Sequence, residues 1–543
     1  MKGRYDVVVV GSGFAGSILA RVLARHGLAV ALLEAGRHPR FALGESSTPL
    51  AALSLERLAR RWDLPDLHAL AAWGRWRLAL PELRHGLKRG FTFYRHAPGA
   101  AFDRTAEPAE RLLVAASPAD AIADAHWLRA DVDAHLFARA GDEGVDTIDE
   151  ARVTGAGTGE AGLELEVVVA GGPRLRLATE LAVDATGPAG ALARRLGAVP
   201  GAPLRTRSGL VFSHFEDVLS LPDALDGPVP GSAPYAEERA AVHHLLAEGW
   251  LYELRFDHGV TSAGLLIEGG VARDANPETV WHGALGRYPT LSRQFSRARP
   301  TRPLALAPAV QHRLDRAAGP CWVALPHTVG FVDPLFSTGL AWSLLGIERI
   351  VEVLASAPPG SPTIRDGSAF TRYDRLLQRE LEQIDRLVAG AYASRERFSL
   401  FVDQTMLYFA LVSYAEAEQR LAEPPHPAWR GFLRADDPLW RDHFDTACER
   451  IRRPSEDHGA WVEAVTREVN IAGLCHPDGR IYDVDLAALV AGAPRLGLTA
   501  DQVRRALPRL RGAAAAAEST VASRAAVPTG QVRVNPNGTD VTG

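Results

Sequence analysis

Arg4-Tyr-Asp-Val-Val-Val-Val-Gly11-Ser-Gly13-Phe-Ala-Gly16 is a β-branched run that breaks into a glycine turn. A helical stretch, Ser17 to His26, follows, and a second apolar run from Leu28 to Leu33 stops at Glu34. Strand, turn, helix and strand make a βαβ unit. Gly11 permits the tight turn, Gly13 lets the backbone approach a pyrophosphate, and Gly16 lets helix pack on strand. The N–H groups at the helix start favour phosphate. Glu34 stands roughly 20 residues beyond the glycines, where a carboxylate can accept hydrogen bonds from an adenosine ribose. The unit predicts a dinucleotide held on an α/β, Rossmann-like domain.

The chain has 543 residues and a net charge of −5. Its length allows roughly two to four domains. The charge argues against nucleic acid or an anionic membrane as partner. Met1 to Arg4 run straight into the first strand, so no signal peptide is expected. No apolar run approaches the roughly 18 residues of a membrane span, and cytoplasm is the expected compartment. Cys321, Cys448 and Cys475 are too scattered for a zinc site or redox pair, and His243-His244 has no further ligand spacing nearby, so no metal is expected. Of 60 lysines plus arginines, only Lys2 and Lys88 are lysine. Lysine, unlike arginine, can lose its proton and become a nucleophilic amine. Lys88 is therefore either a chance surface residue or a reactive one.

Further stretches narrow the reading. Arg40 to Ser46 spells R-x-x-x-G-E-S, and Ser46, Ser47 or Thr48 would cap a helix from Leu50 to Trp62. His85 to Tyr94 reads as a turn followed by an alternating strand. Asp124 to Glu143 reads as a helix carrying Arg129, a surface residue or a cofactor contact. Leu163 to Val169 and Arg174 to Ala178 read as a hairpin, and Leu181-Ala-Val-Asp184-Ala-Thr-Gly187 closes a strand. Alternation puts Trp250, Tyr252, Leu254 and Phe256 on one strand face. Gly330-Phe-Val-Asp333-Pro-Leu-Phe336-Ser337-Thr338-Gly339 precedes an apolar helix, Leu340 to Leu354, whose first N–H groups form an anion site.

These stretches resemble the flavin-dependent halogenases, within the glutathione-reductase-type and geranylgeranyl-reductase-like FAD fold. The resemblance implies a Rossmann-like FAD-binding domain with an inserted mixed β-sheet substrate domain and a C-terminal helical region. Residues 1–200 and 306–355 would bind FAD, 201–305 would form the inserted sheet, and 356–512 would shape substrate access. Residues 513–543, low in complexity, are expected to be disordered. Around FAD the resemblance implies Gly11, Gly13, Gly16, Glu34, Arg40, Glu45, Ser46, Arg129, Asp184, Gly187, Asp333 and Gly339. It implies halide at Ser337, Thr338 and Gly339, and Lys88 as the relay of hypohalous acid made from reduced FAD, O2 and halide. Trp250, Tyr252 and Phe336 would line the substrate pocket, or Trp250 and Tyr252 are ordinary core aromatics. A separate flavin reductase is implied, with a small-molecule or carrier-tethered, electron-rich substrate.

The chain departs from the family pattern at three places. W-x-W-x-I-P is here Trp250-Leu-Tyr252-Glu-Leu254-Arg255. The usual Gly-Asp is Leu325-Pro326-His327, which removes an expected ribityl contact. Phe336 stands where tryptophan halogenases have a catalytic Glu, so an indole deprotonated there is not expected. A flavin monooxygenase or dehydrogenase acting without halide is the alternative, and a flavoprotein without turnover, partnering a carrier protein, is a third reading. No second Rossmann glycine motif is visible, so no stable nicotinamide domain is expected. The aromatic residues between Phe398 and Tyr414 serve either core or substrate access.

Overall fold

The computed structural model describes residues 3–105, 109–117, 119–160, 162–225, 233–421, 428–453, 457–469 and 499–501. The strand Arg4–Val10 lies between Val30–Leu33 and Arg174–Asp184, parallel to both, at the centre of the first sheet. Val7, Val8 and Val9 are fully buried. Burial on both faces explains why this strand is a continuous apolar run instead of an alternating one. The first helix, Phe14–Arg25, begins three residues earlier than its pattern suggested, because the glycine turn itself supplies the first helical residues. Arg174–Asp184 is one element: its first half pairs antiparallel with Gly162–Val169, and its second half joins the parallel core.

The second sheet runs in the order Arg299–Pro300, Ser208–Glu216, Thr261–Glu268, Gly249–Arg255, Ala241–Leu246, Gly90–Arg95, Arg111–Ala115. Confining it to 201–305 is therefore corrected. Gly90–Arg95 pairs parallel with Ala241–Leu246, so the Lys88 segment feeds directly into this sheet. A second correction concerns Asp124–Trp127, which is a strand paired antiparallel with His85–Lys88; the helix starts only at Arg129 and ends at Asp142. All four residues of this strand are buried, and so short a segment carries no period that separates strand from helix.

The longer helices after residue 337 are Thr338–Ser356, Thr371–Ser394, Phe398–Leu421, Pro438–Arg452 and His458–Val469. Contrary to expectation, one stretch, Phe398–Glu416, is long and apolar enough to cross a membrane by length and composition. Two-thirds of it is buried inside the protein, packed on Thr371–Ser394 and on the helix Pro49–Trp62. Cys475 and residues 513–543 lie outside the described residues.

An ion pair joins the closing helices. Arg349 donates from Nη1 and Nη2 to Glu380 at 2.8 and 2.6 Å, Trp342 Nε1 donates to the same carboxylate at 2.8 Å, and neither ion is exposed. Glu380→Ala would strand the guanidinium in the interior. A loss of about 3–5 kcal/mol in denaturant unfolding is expected; an unchanged midpoint would contradict this role.

Candidate active site

The glycines form a cradle with one open side. Gly11 has φ +104°, and a Cβ there would fall 2.5 Å from the Ala185 carbonyl oxygen. At Gly16 it would fall 2.0 Å from the Gly11 oxygen, so strand, turn and helix touch. Gly13 instead faces side-chain tips, the nearest being Arg129 Nη2 at 3.5 Å from a built Cβ, and Gly187, at φ +60°, has nothing within 4 Å. Close backbone on one side and open space on the other fit a dinucleotide.

Glu34 accepts from Ser12 N at 3.2 Å, Ser12 Oγ at 2.8 Å, Gly36 N at 2.9 Å and Arg40 Nη2 at 3.0 Å. Burial works against ionisation there, but Arg40 and these donors outweigh it and hold the carboxyl below its ordinary range. Arg129 donates from Nε and Nη2 to Asp133, both at 2.9 Å, and from Nη1 to the Leu43 carbonyl at 2.7 Å. Asp133 also accepts from Phe14 N at 3.1 Å, joining the first helix to the Arg129 helix. The sequence reading passed over Asp133, although its i,i+4 spacing from Arg129 was a usable signal. It also passed over His214, whose Nε2 lies 2.9 Å from Glu45 Oε1.

Two predicted cofactor contacts spend their carboxylates inside the protein. Asp184 accepts from Thr186 N and Oγ1, Leu192 N and Ala193 N at 2.7–2.9 Å, which shapes the turn before Gly187. Asp333 accepts from Ser208 Oγ at 3.0 Å, Tyr392 OH at 2.8 Å and Leu335 N at 3.1 Å. Burial raises its carboxyl to about 7. Tyr392 OH accepts in turn from Trp250 Nε1 at 3.0 Å, so Trp250 and Asp333 share one buried network. Tyr252 is buried too, its ring lying over Gly264, where a Cβ would fall 2.4 Å from it. His327 packs its ring on Gly339, with Nδ1 2.7 Å from Ser343 Oγ. Burial, with His312 and Arg129, lowers it to about 3, so the imidazole is neutral.

Lys88 is fully buried at the end of its strand. Its Nζ donates to the Ser47 carbonyl at 2.6 Å, lies 4.0 Å from the Phe91 ring centroid, and stands opposite Asp124 in the strand register. Desolvation lowers the amine from 10.5 to about 7, with Asp124 pulling the other way. Ser46, next in the chain, accepts at its hydroxyl from Ser337 Oγ at 3.1 Å. Side-chain capping of Pro49–Trp62 is thus corrected: Thr48 is its N-cap residue but makes no side-chain bond, and Ser46 is turned towards Ser337. Ser337, at φ +51°, caps Thr338–Ser356 in a left-handed conformation that few non-glycine residues adopt. The Phe336 carbonyl accepts from Tyr408 OH at 2.9 Å, and their rings lie 4.4 Å apart. Beside them a cavity of 30 Å3, room for about two waters, is lined by Phe91, Thr338, Tyr408, Phe409, Glu416 and Phe432 among others.

The family model described as tryptophan halogenase matches residues 97–403, more than half of the chain. The chain belongs to the tryptophan halogenase family of flavin-dependent halogenases. A model for an NAD(P)-binding Rossmann-like domain matches residues 9–49. This halogenase is 29% identical over 410 residues to the tetracycline 7-halogenase of Kitasatospora aureofaciens, across 73% of this chain and 71% of that one. It is 26% identical over 507 residues to the monodechloroaminopyrrolnitrin halogenase PrnC of Pseudomonas fluorescens, across 87% and 86%. In fold it is similar to the crystal structure of halogenase PltM in complex with phloroglucinol and FAD, with TM-score 0.76 and 24% identity over 86% and 95% of the two chains. It is an enzyme and a flavoprotein, with FAD as its cofactor.

With two lysines in the halogenase, labelling lysine Cε with 13C gives two signals. The one removed by Lys88→Arg is expected to titrate near pH 7. Titration near the ordinary 10.5 would contradict the desolvation of its amine.

Proposed function

We propose that the enzyme transfers electrophilic halogen from a hypohalous acid to an electron-rich organic substrate, with Lys88 as the relay. The observation that carries this reading is one run of contacts: Lys88 Nζ on the Ser47 carbonyl, then the adjacent Ser46 hydroxyl on Ser337 at the helix start. On this reading the run links the buried amine to the turn Ser337-Thr338-Gly339, where helix N–H groups would favour an anion such as halide. Reduced FAD, when bound, supplies the reduction of O2 from which halide becomes hypohalous acid. Gly11, Gly13 and Gly16 would hold its pyrophosphate, Glu34 its ribose, and Arg40, Arg129 and the Gly187 turn the dinucleotide between. Asp184 and Asp333 would act by shaping the turns, since their carboxylates are already bonded. A separate reductase would supply the electrons.

Lys88 suits the relay because it is out of water and largely neutral once the pH passes about 7. The cavity between Phe91, Thr338 and Tyr408 is where a ring would meet it, with Phe409 and Phe432 as aromatic walls. One relative is a 1H-pyrrole-2-carbonyl-[peptidyl-carrier protein] chlorinase, and another a tetracycline halogenase, so both tethered and free substrates fit the family.

The test is mass spectrometry of an electron-rich phenol incubated with enzyme, FAD, a flavin reductase, NADH, O2 and bromide or chloride. Halogenated phenol is expected from the parent enzyme and none above background from Lys88→Ala or Lys88→Arg, with FAD binding unchanged. Full activity in both variants would remove Lys88 from the reaction, and oxygenated product without halide would favour the monooxygenase reading. In a separate fluorescence titration, Asp133→Asn is expected to weaken FAD binding roughly tenfold or more, a charged hydrogen bond being worth about 1.5–3 kcal/mol. Unchanged affinity would remove Asp133 from the cofactor's support.

A further inference from the structure

We infer that Asp124, facing Lys88 across the paired strands His85–Lys88 and Asp124–Trp127, positions the amine and supports its attack on the halogen. The inference rests on the relay role of Lys88. Both side chains are buried, Lys88 completely and Asp124 to 2% exposure, so water screens little between them.

The other titratable groups around the pair come from four elements. His126 lies on the Asp124 strand and His243 on Ala241–Leu246; both feel the Lys88 charge, and burial pushes both down to about 3. They are neutral at working pH and offer the ammonium no counter-charge. His85, on the Lys88 strand, is bonded through Nδ1 to the Leu83 carbonyl and lies 3.6 Å from Asp257. Tyr408, from the helix Phe398–Leu421, feels Asp124, and burial raises its phenol so that it stays protonated. The Ser47 carbonyl accepts a hydrogen bond but carries no charge. Asp124 is thus the carboxylate that acts on Lys88 among these described groups.

Its effect on the chemistry follows from two opposing demands. Desolvation makes the amine neutral, as attack requires, but also makes it a weaker base and so a weaker nucleophile. Asp124 opposes that fall and leaves the amine near the working pH, where neutral fraction and basicity are jointly best. In the step itself the Nζ lone pair forms the N–X bond as the O–X bond of hypohalous acid breaks. The departing hydroxide takes a proton from the nitrogen and leaves as water. The substrate carbon then takes X, the N–X pair returns to nitrogen, and the proton shed by that carbon restores the neutral amine.

The test joins two readouts on the full-length enzyme. In Asp124→Asn, the 13C signal of Lys88 is expected to titrate at lower pH than in the parent. The acid limb of the halogenation rate should move down with it, and the high-pH plateau should fall several-fold. Asp124→Glu should restore part of each, which separates the effect from a fold defect. The Lys88 signal needs no turnover, so it judges Asp124 independently of the relay. A Lys88 titration unmoved in Asp124→Asn, in an enzyme that Lys88→Ala inactivates, would overturn the inference and leave the relay standing. A moved titration with an unmoved acid limb would overturn it as well. If Lys88→Ala and Lys88→Arg kept full activity, the relay itself would fall.

Discussion

An amine taken wholly out of water is the constraint around which this molecule is arranged. Placing a charged group in the interior costs several kcal/mol even after relaxation. The Lys88 Nζ is therefore met by a carbonyl at 2.6 Å, an aromatic face at 4.0 Å and a carboxylate across the strand pair. Those partners come from three places in the chain: the loop after Glu34, the strand Gly90–Arg95 and the strand Asp124–Trp127. Holding them together obliges the first hundred residues to enter both sheets, and this is why the two layers cannot be cut apart at residue 200.

The parts of the fold that were legible in the sequence were those whose cause is local. The glycine turn, the acid at Glu34 and the apolar helix after Gly339 each follow from a few adjacent residues, and Lys88 drew notice because a chain rich in arginine had kept it. What was not legible depends on distant pairing. Gly90–Arg95 finds its parallel neighbour about 150 residues away, and no local pattern announces that partner. Asp124–Trp127 looked helical because a helix does follow it directly. Asp333 and Trp250 were assigned to different ligands, yet they meet through Tyr392 of the helix Thr371–Ser394. The Glu45–His214 contact likewise joins a loop of the first layer to a strand of the second.

Two departures from the family pattern meet defined surroundings in the fold. Leu325-Pro326-His327 exchanges an acidic side chain for a neutral imidazole tied to Ser343 and resting on Gly339. Tyr252 loses the indole of the usual motif but keeps an aromatic ring in the core, packed where Gly264 leaves room.

The helix Phe398–Leu421 has a consequence for how a substrate enters. It contributes Tyr408, Phe409 and Glu416 to a cavity of only 30 Å3, far less than a ring needs. Swinging so largely buried a helix into solvent would expose apolar surface at roughly 25 cal/mol for each Å2. On the proposed reading, a ring would be admitted by rotamer changes of individual lining side chains such as Phe409 and Phe432. Selectivity would then be set by which ring shapes those rotations can clear.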